Sequence, residues 1–241
     1  VGFNFNGIAA HTAVPPFSPT VLGLDGANHA LFESGLAGTT GGLPPGGLFT
    51  FTALSNTYTF QLAPYGSTNL LQVNRTGTLT MTSPQKVPTL AVLGFSASGG
   101  AGGLEAFGDA TLNFSDNSSS VYSRAIDLSN WTGVPGLNPN ITTISGGMVN
   151  VTTGAFQATP PNVYVSLVTL NAADAAKTLT SVTISNFPFG GSPFQFVMAL
   201  AGGDPPPPLP PTVPALSSWA LAALGVLLAC AAALALRPAR A

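Results

Sequence analysis

The chain predicts an all-β protein: a two-sheet β-sandwich over residues 1–203, then a proline-rich spacer and one C-terminal transmembrane helix. Three observations carry this. Short alternating or β-branched runs, separated by Gly, Pro, Asn and Ser, continue to Gly203; GGDPPPPLPPTVP follows over Gly202–Pro214; and an uncharged stretch runs from Leu216 to Leu236.

Composition agrees with a β-rich exported chain. Its 241 residues are enough for one large β domain, and only 6% are charged, against about 25% in an average globular protein. Gly (28) and Pro (22) are abundant, which makes the surface rich in loops. Before the tail, eight acidic residues face only Arg75, Lys86, Arg124 and Lys177, so no basic patch exists for nucleic acid. Solubility falls to uncharged Ser, Thr and Asn. Cys230 is the only cysteine and lies inside the hydrophobic run, which excludes an intramolecular disulfide and a cysteine-based metal site. No cofactor is expected. The start, VGFNFNGIAA, lacks a positive segment followed by an apolar one, so the expectation is a signal peptide already removed or a fragment.

Strands are expected at Val1–Asn6, Ala30–Ser34, Leu48–Ala53, Thr57–Leu62, Asn69–Val73, Gly77–Thr82 and Thr89–Ser96. Others are expected at Ala110–Phe114, Ser119–Asp127, Met148–Thr152, Val163–Leu170, Leu179–Ser185 and Phe194–Ala199. Period-two alternation assigns inward faces, because successive side chains of a strand point to opposite sides. These faces are Phe49 and Phe51; Tyr58, Phe60 and Leu62; Leu79 and Met81; Leu90, Val92 and Leu93; and Leu112 and Phe114. Later in the chain they are Val163, Val165 and Leu167; Val182 and Ile184; and Phe194, Phe196 and Met198. The stretch NAADAAKTL reads as a brief turn between two strands, in which Asn171 can cap a helical turn starting at Ala172.

Residues 204–214 form the spacer. Proline lacks an amide hydrogen and fixes φ, so this segment is expected to be extended polyproline II, reaching roughly 35–40 Å counted from Gly202. From Leu216 to Leu236 no residue is charged, and a helix over that run is about 31 Å long, matching a bilayer's hydrocarbon core. Trp219 serves as an interfacial anchor, and Arg237 and Arg240 beyond the far end put the C-terminus in the cytoplasm.

Val213-Pro214-Ala215-Leu216-Ser217-Ser218-Trp219, followed by one hydrophobic helix and an arginine-containing end, resembles the IPTL-CTERM class of bacterial sorting signals, relatives of the PEP-CTERM signals read by exosortases. The family pattern is Ile-Pro-Thr-Leu-Ser, an often acidic residue, then Trp. Val213, Ala215 and Ser218 depart from it, while Pro214, Leu216, Ser217 and Trp219 match. The resemblance covers residues 213–241. It implies export across the inner membrane of a Gram-negative bacterium, retention there by the tail, and recognition by an exosortase-like enzyme. Delivery to the cell surface or extracellular matrix would follow.

The β region carries a second resemblance. APYGSTNLLQVNRTGTLTMTSPQKVPTLAVLGFSASGG, ATLNFSDNSSSVYSRAIDLSNW and VYVSLVTLNAADAAKTLTSVTISN are similar to jelly-roll domains found upstream of such tails, which makes the expected sandwich jelly-roll-like. Those domains carry a Phe-Ser-Asp-Gly-Ser turn and an Asp-Trp pair. Here Phe114-Ser115-Asp116-Asn117-Ser118 and Asn130-Trp131 stand in their place, and Asn tolerates the left-handed backbone such a turn needs.

Catalytic groups are scarce. His11 and His29 are the only imidazoles, without metal-ligand spacing, and no Gly-x-Ser-x-Gly elbow occurs. Carboxylates that could pair for glycoside hydrolysis are Glu33, Glu105, Asp109, Asp116 and Asp127. SASGGAGGLEAFGD lacks the Lys and following helix of a phosphate cradle. Asp25, Asn28 and Glu33 lie close in sequence and read either as a solvated turn or as oxygen ligands for Ca²⁺. Tyr65, Tyr122 and Trp131 are candidate stacking surfaces for a sugar, with a core role as the alternative for Trp131. The leading expectation is therefore a non-enzymatic exported surface or matrix protein. A carbohydrate-binding adhesin that meets extracellular polysaccharide, and a surface hydrolase, are the alternatives; His11 and His29 lying far from every carboxylate would weigh against the hydrolase.

Overall fold

A computed structural model describes residues 1–53, 56–97, 106–132, 138–188 and 194–203. The strands in chain order are β1 (Ile8–Ala9), β2 (His29–Phe32), β3 (Leu48–Ala53), β4 (Asn56–Gln61), β5 (Leu71–Val73), β6 (Thr76–Gln85), β7 (Thr89–Ala97) and β8 (Ala106–Phe114). They continue as β9 (Ser119–Leu128), β10 (Ile141–Thr143), β11 (Met148–Asn150), β12 (Phe156–Gln157), β13 (Asn162–Thr169), β14 (Leu179–Ser185), β15 (Phe187–Pro188) and β16 (Phe194–Gly203). One helical turn, α1 (Ala172–Ala175), joins β13 to β14, and the Asn171 side chain caps it by accepting from the Asp174 amide. The fold is mostly β, with several sheets consistent with an all-β sandwich. Val1–Pro206 makes one compact unit.

Two antiparallel sheets form the centre. One has the order β10-β13-β7-β16-β5, and the other β15-β8-β14-β6 with β9 paired to β8. The chain steps from one sheet to the other between β6 and β7, between β7 and β8, and again between β13 and β14. Hydrophobic residues from both sheets therefore interleave in one core.

The middle strand β7 departs from simple alternation, since every residue of TLAVLGFSA is buried. Both its faces are covered. A Cβ at Gly94 would strike the Phe196 carbonyl of β16 and then the Leu128 side chain of the second sheet. On the opposite face Phe95 stacks on Trp131 (centroids 5.4 Å apart, 17° between planes) and on Phe196 (5.4 Å, 23°), and Phe196 meets Phe5 edge-on at 5.2 Å. The hairpin β3–β4 covers the same side, with Tyr58 lying over Gly203. A strand buried twice reads as a continuous apolar run, whereas β8, exposed on one face, alternates strictly between buried and half-buried positions.

A smaller sheet, β1-β2-β11-β12, closes a second core of Ala9, Phe17, Val21, Ala30, Phe32, Leu36, Val149 and Val151. Its strands β1 and β12, like β10 and β15, are two or three residues long, too short for periodicity to show. The strand expected over Val1–Asn6 does not form. Phe5 makes a single bridge to Leu70, and at Asn4 the side chain replaces the backbone ladder: Nδ2 donates to the Gln72 carbonyl (3.2 Å) and Oδ1 accepts from the Gln72 amide (2.7 Å).

The proline spacer 204–214, the helix expected over 216–236, and the sorting and topology residues Val213, Pro214, Leu216, Ser217, Trp219, Arg237 and Arg240 lie outside the described residues. Among the described residues no helix is long and apolar enough to cross a membrane.

Candidate functional site

The parallel pairing of β1 with β2 sets Ala9 beside Phe32, and the Glu33 amide donates to the Ala9 carbonyl at 2.9 Å. Two residues beyond Ala9, His11 therefore arrives at the Glu33 carboxylate. Its backbone amide donates to Glu33 Oε2 at 2.8 Å, and its ring Nδ1 lies 2.6 Å from the same oxygen. The Glu33 side chain is only 8% exposed while that of His11 is 55% exposed, so the pair presents an imidazole edge over a buried anion.

Burial pushes the Glu33 carboxyl up, yet hydrogen bonds from the His11 amide, the His11 ring and the Gly46 backbone outweigh it, and the group sits below its ordinary range. Glu33 is thus ionised at neutral pH and holds Nδ1 of the ring, which leaves Nε2 as the ring's other polar atom. The pair borders a cleft of about 560 Å³ whose lining includes Thr12, Gln61, Leu62, Pro64 and Tyr65. Tyr65 is anchored by its hydroxyl, which donates to the Pro44 carbonyl at 2.9 Å. Burial, and then the Glu33 charge, push that phenol well above its usual range.

The second imidazole has a different role. Asp25 Oδ1 accepts from the Ala27 amide (3.0 Å) and the His29 amide (2.9 Å), and Oδ2 lies 2.9 Å from His29 Nδ1. Asn28 takes φ +61°, the left-handed conformation Asn tolerates, and completes the turn. Both Asp25 oxygens are thereby engaged, and Glu33 is turned to His11. Asp25 and Glu33 thus face different imidazoles, and Glu33 is 6% exposed rather than solvated; among the described residues no group of three His, Cys, Asp or Glu side chains converges.

Of the three aromatics considered for sugar stacking, Trp131 is 1% exposed, with its ring packed on Phe95, so it offers no free face. The alternative core role describes it. Tyr122 is half-buried and its hydroxyl is committed to Asp174; Tyr65 lines a cleft but is 6% exposed and packed into the main core, so it offers little free ring face. The carboxylates considered for hydrolysis are dispersed. Asp109 accepts from the Arg124 amide (2.8 Å), Asp116 closes the β8–β9 turn on Ser118 (2.6 Å), and Glu105 lies outside the described residues.

A second polar cluster was invisible in the sequence. Asp174, 3% exposed, accepts from Tyr122 (2.8 Å), Asn171 (2.8 Å), Ser120 (3.0 Å) and Lys177 (3.4 Å). These bonds overcome the burial that raises its pKa and hold it low. The cluster is fully paired within itself and fastens α1 to β9. The His11–Glu33 pair left no local signal either: its members are 22 residues apart, and two-residue strands bring them together. No family model matches the chain, and no curated protein matches it.

Proposed function

We infer that the chain is a non-enzymatic, exported cell-surface or extracellular-matrix protein, in which the tail delivers the β unit. The observation that carries this is the uncharged run Leu216–Leu236, opened by Pro214-x-Leu216-Ser217-x-Trp219 and closed by Arg237 and Arg240. An exosortase-like membrane enzyme would read the motif, the helix would hold the precursor in the inner membrane, and the arginines would keep the C-terminus inside. The last described strand ends at Gly203 and the proline run begins at Pro205, which supports a spacer between a folded part and an anchor. The stepping of consecutive strands between two sheets supports a jelly-roll-like arrangement.

Placing a stop codon after Pro211 and fractionating the cells tests this. Loss of surface retention is expected, and unchanged retention overturns the reading. Mass spectrometry of the mature C-terminus would locate the processing site.

The cleft favours a second reading, a carbohydrate-binding adhesin delivered by the same tail. The His11–Glu33 and His29–Asp25 contacts put each imidazole beside a carboxylate, so that objection to a hydrolase falls away. A hydrolase also needs a second acid or an activated nucleophile next to the base; the described lining of the cleft adds the Thr12 hydroxyl but no further acid, which supports binding over turnover.

A further inference from the structure

We propose that the cleft bordered by His11 and Tyr65 binds a neutral, hydroxyl-bearing ring of monosaccharide size, with His11 Nε2 hydrogen-bonded to a ligand hydroxyl. This gives the adhesin reading a site and does not depend on the tail.

Size is the first argument. About 560 Å³ falls within the roughly 300–1,000 Å³ of small-ligand pockets, and suits one or two sugar rings better than a long polymer segment. Charge is the second. Glu33, the acid in the described lining of the cleft, is already engaged by His11, and neither Lys nor Arg is among that described lining. A charged ligand would lose hydration there with no partner in return, whereas a neutral one would not. The third argument is the split character of the walls. Leu62, Ala63 and Pro64 supply apolar lining, and His11, Thr12 and Gln61 supply polar groups. A sugar ring has matching parts, with C–H faces on one side and hydroxyls at its edge.

Preorganisation sets which polar atom matters most. The His11 backbone amide and ring Nδ1 both contact Glu33 Oε2, which fixes the orientation of the imidazole, so the ring does not need to be ordered on binding. Gln61 is held similarly, since its amide donates to the Gly46 carbonyl at 3.0 Å and the Leu62 carbonyl at 3.2 Å, which leaves Oε1 as the outward-facing end. A ring nitrogen at His11 and an amide oxygen at Gln61 suit a ligand whose hydroxyls can both donate and accept.

The chain contains two histidines, so imidazole NMR is a direct test, with His29 as an internal reference. The full chain, labelled at histidine and held in a zwitterionic detergent without a sugar headgroup, is titrated with methyl glucoside, methyl galactoside, methyl mannoside and N-acetylglucosamine. At least one is expected to shift the His11 resonance at millimolar concentration while His29 stays in place. His11→Asn keeps a donor for Glu33 but withdraws Nε2, and should weaken binding about five- to tenfold by ligand-observed NMR. Ala63→Trp fills the cleft and should abolish binding, with the native His29 signal confirming the fold. A silent His11 resonance across the four sugars, or unchanged affinity in both variants, overturns the proposal. Sugar binding that leaves His11 unmoved would overturn this site and leave the adhesin reading standing.

Discussion

The Tyr122 hydroxyl donates to Asp174 Oδ2 at 2.8 Å and itself accepts from the Asn171 backbone amide at 3.1 Å, across some fifty residues of chain. One phenol thereby ties the loop after β13 to β9, and does so with a carboxylate that burial would otherwise penalise. Tyr122→Phe should cost about 1–3 kcal/mol, since it strips a partner from a buried charge. Asp174→Ala should cost about 3 kcal/mol or more, because Lys177, Tyr122 and Ser120 lose their common acceptor. The shift in the midpoint of urea unfolding checks both, and equal stability of either variant to native would contradict the assignment.

Glu33 and Asp174 predict how stability follows pH. Both carboxyls are more acidic in the folded chain than their ordinary values of 4.5 and 3.8. On acidification the unfolded chain takes up these protons first, which draws the equilibrium toward it. The stabilisation is complete above about pH 5 and declines as pH falls through the lowered folded values. Thermal melts from neutrality to pH 3 should show a plateau and then a drop. In the double variant Glu33→Gln, Asp174→Asn the drop should be shallower, from a lower plateau.

Gly108 sits where β8 meets the end of β14, and a Cβ there would collide with the Ser185 carbonyl oxygen. Nothing flexible can give way, because the obstacle is backbone. Beside it the Asp109 amide donates to Ser185 Oγ at 2.8 Å, so a displaced Ser185 also loosens that contact. Gly108→Ala should destabilise by about 2–3 kcal/mol, measurable as a lowered midpoint of chemical unfolding. Gly66→Ala is the matched control, since its Cβ would meet open space and should change little.

Trp131 offers an optical check of the core. In a Trp219→Phe chain it is the only indole. Its emission should be blue-shifted and nearly insensitive to iodide, as expected for a ring 1% exposed and stacked on Phe95. Trp131→Ala should cost about 3–5 kcal/mol through the cavity it leaves. A red, readily quenched spectrum would place the ring on the surface and return it to the candidates for sugar contact.

Where information is local, the residue pattern alone decided the outcome. Alternation along NTYTFQ set Tyr58 and Phe60 inward on β4, and the TLTSVTIS run gave β14 its bounds at Leu179–Ser185. Asn171, placed before Ala-Ala-Asp, caps α1 because a short side-chain acceptor there can reach the Asp174 amide. The membrane reading of the tail likewise rests on composition alone, on an uncharged run of bilayer length. Tertiary structure decided everything that depends on two distant segments meeting. β7 is buried on both faces because a second layer covers its sheet, a fact its own nine residues cannot encode. Trp131 became core because the end of β7 delivers Phe95 against it. His11 meets Glu33, and Tyr122 meets Asp174, only through pairings whose strands are too short or too remote to leave a period in the sequence. Hydrophobic patterning repeats every two residues and is therefore legible; a polar contact needs one pair at one register, and only the folded chain specifies it.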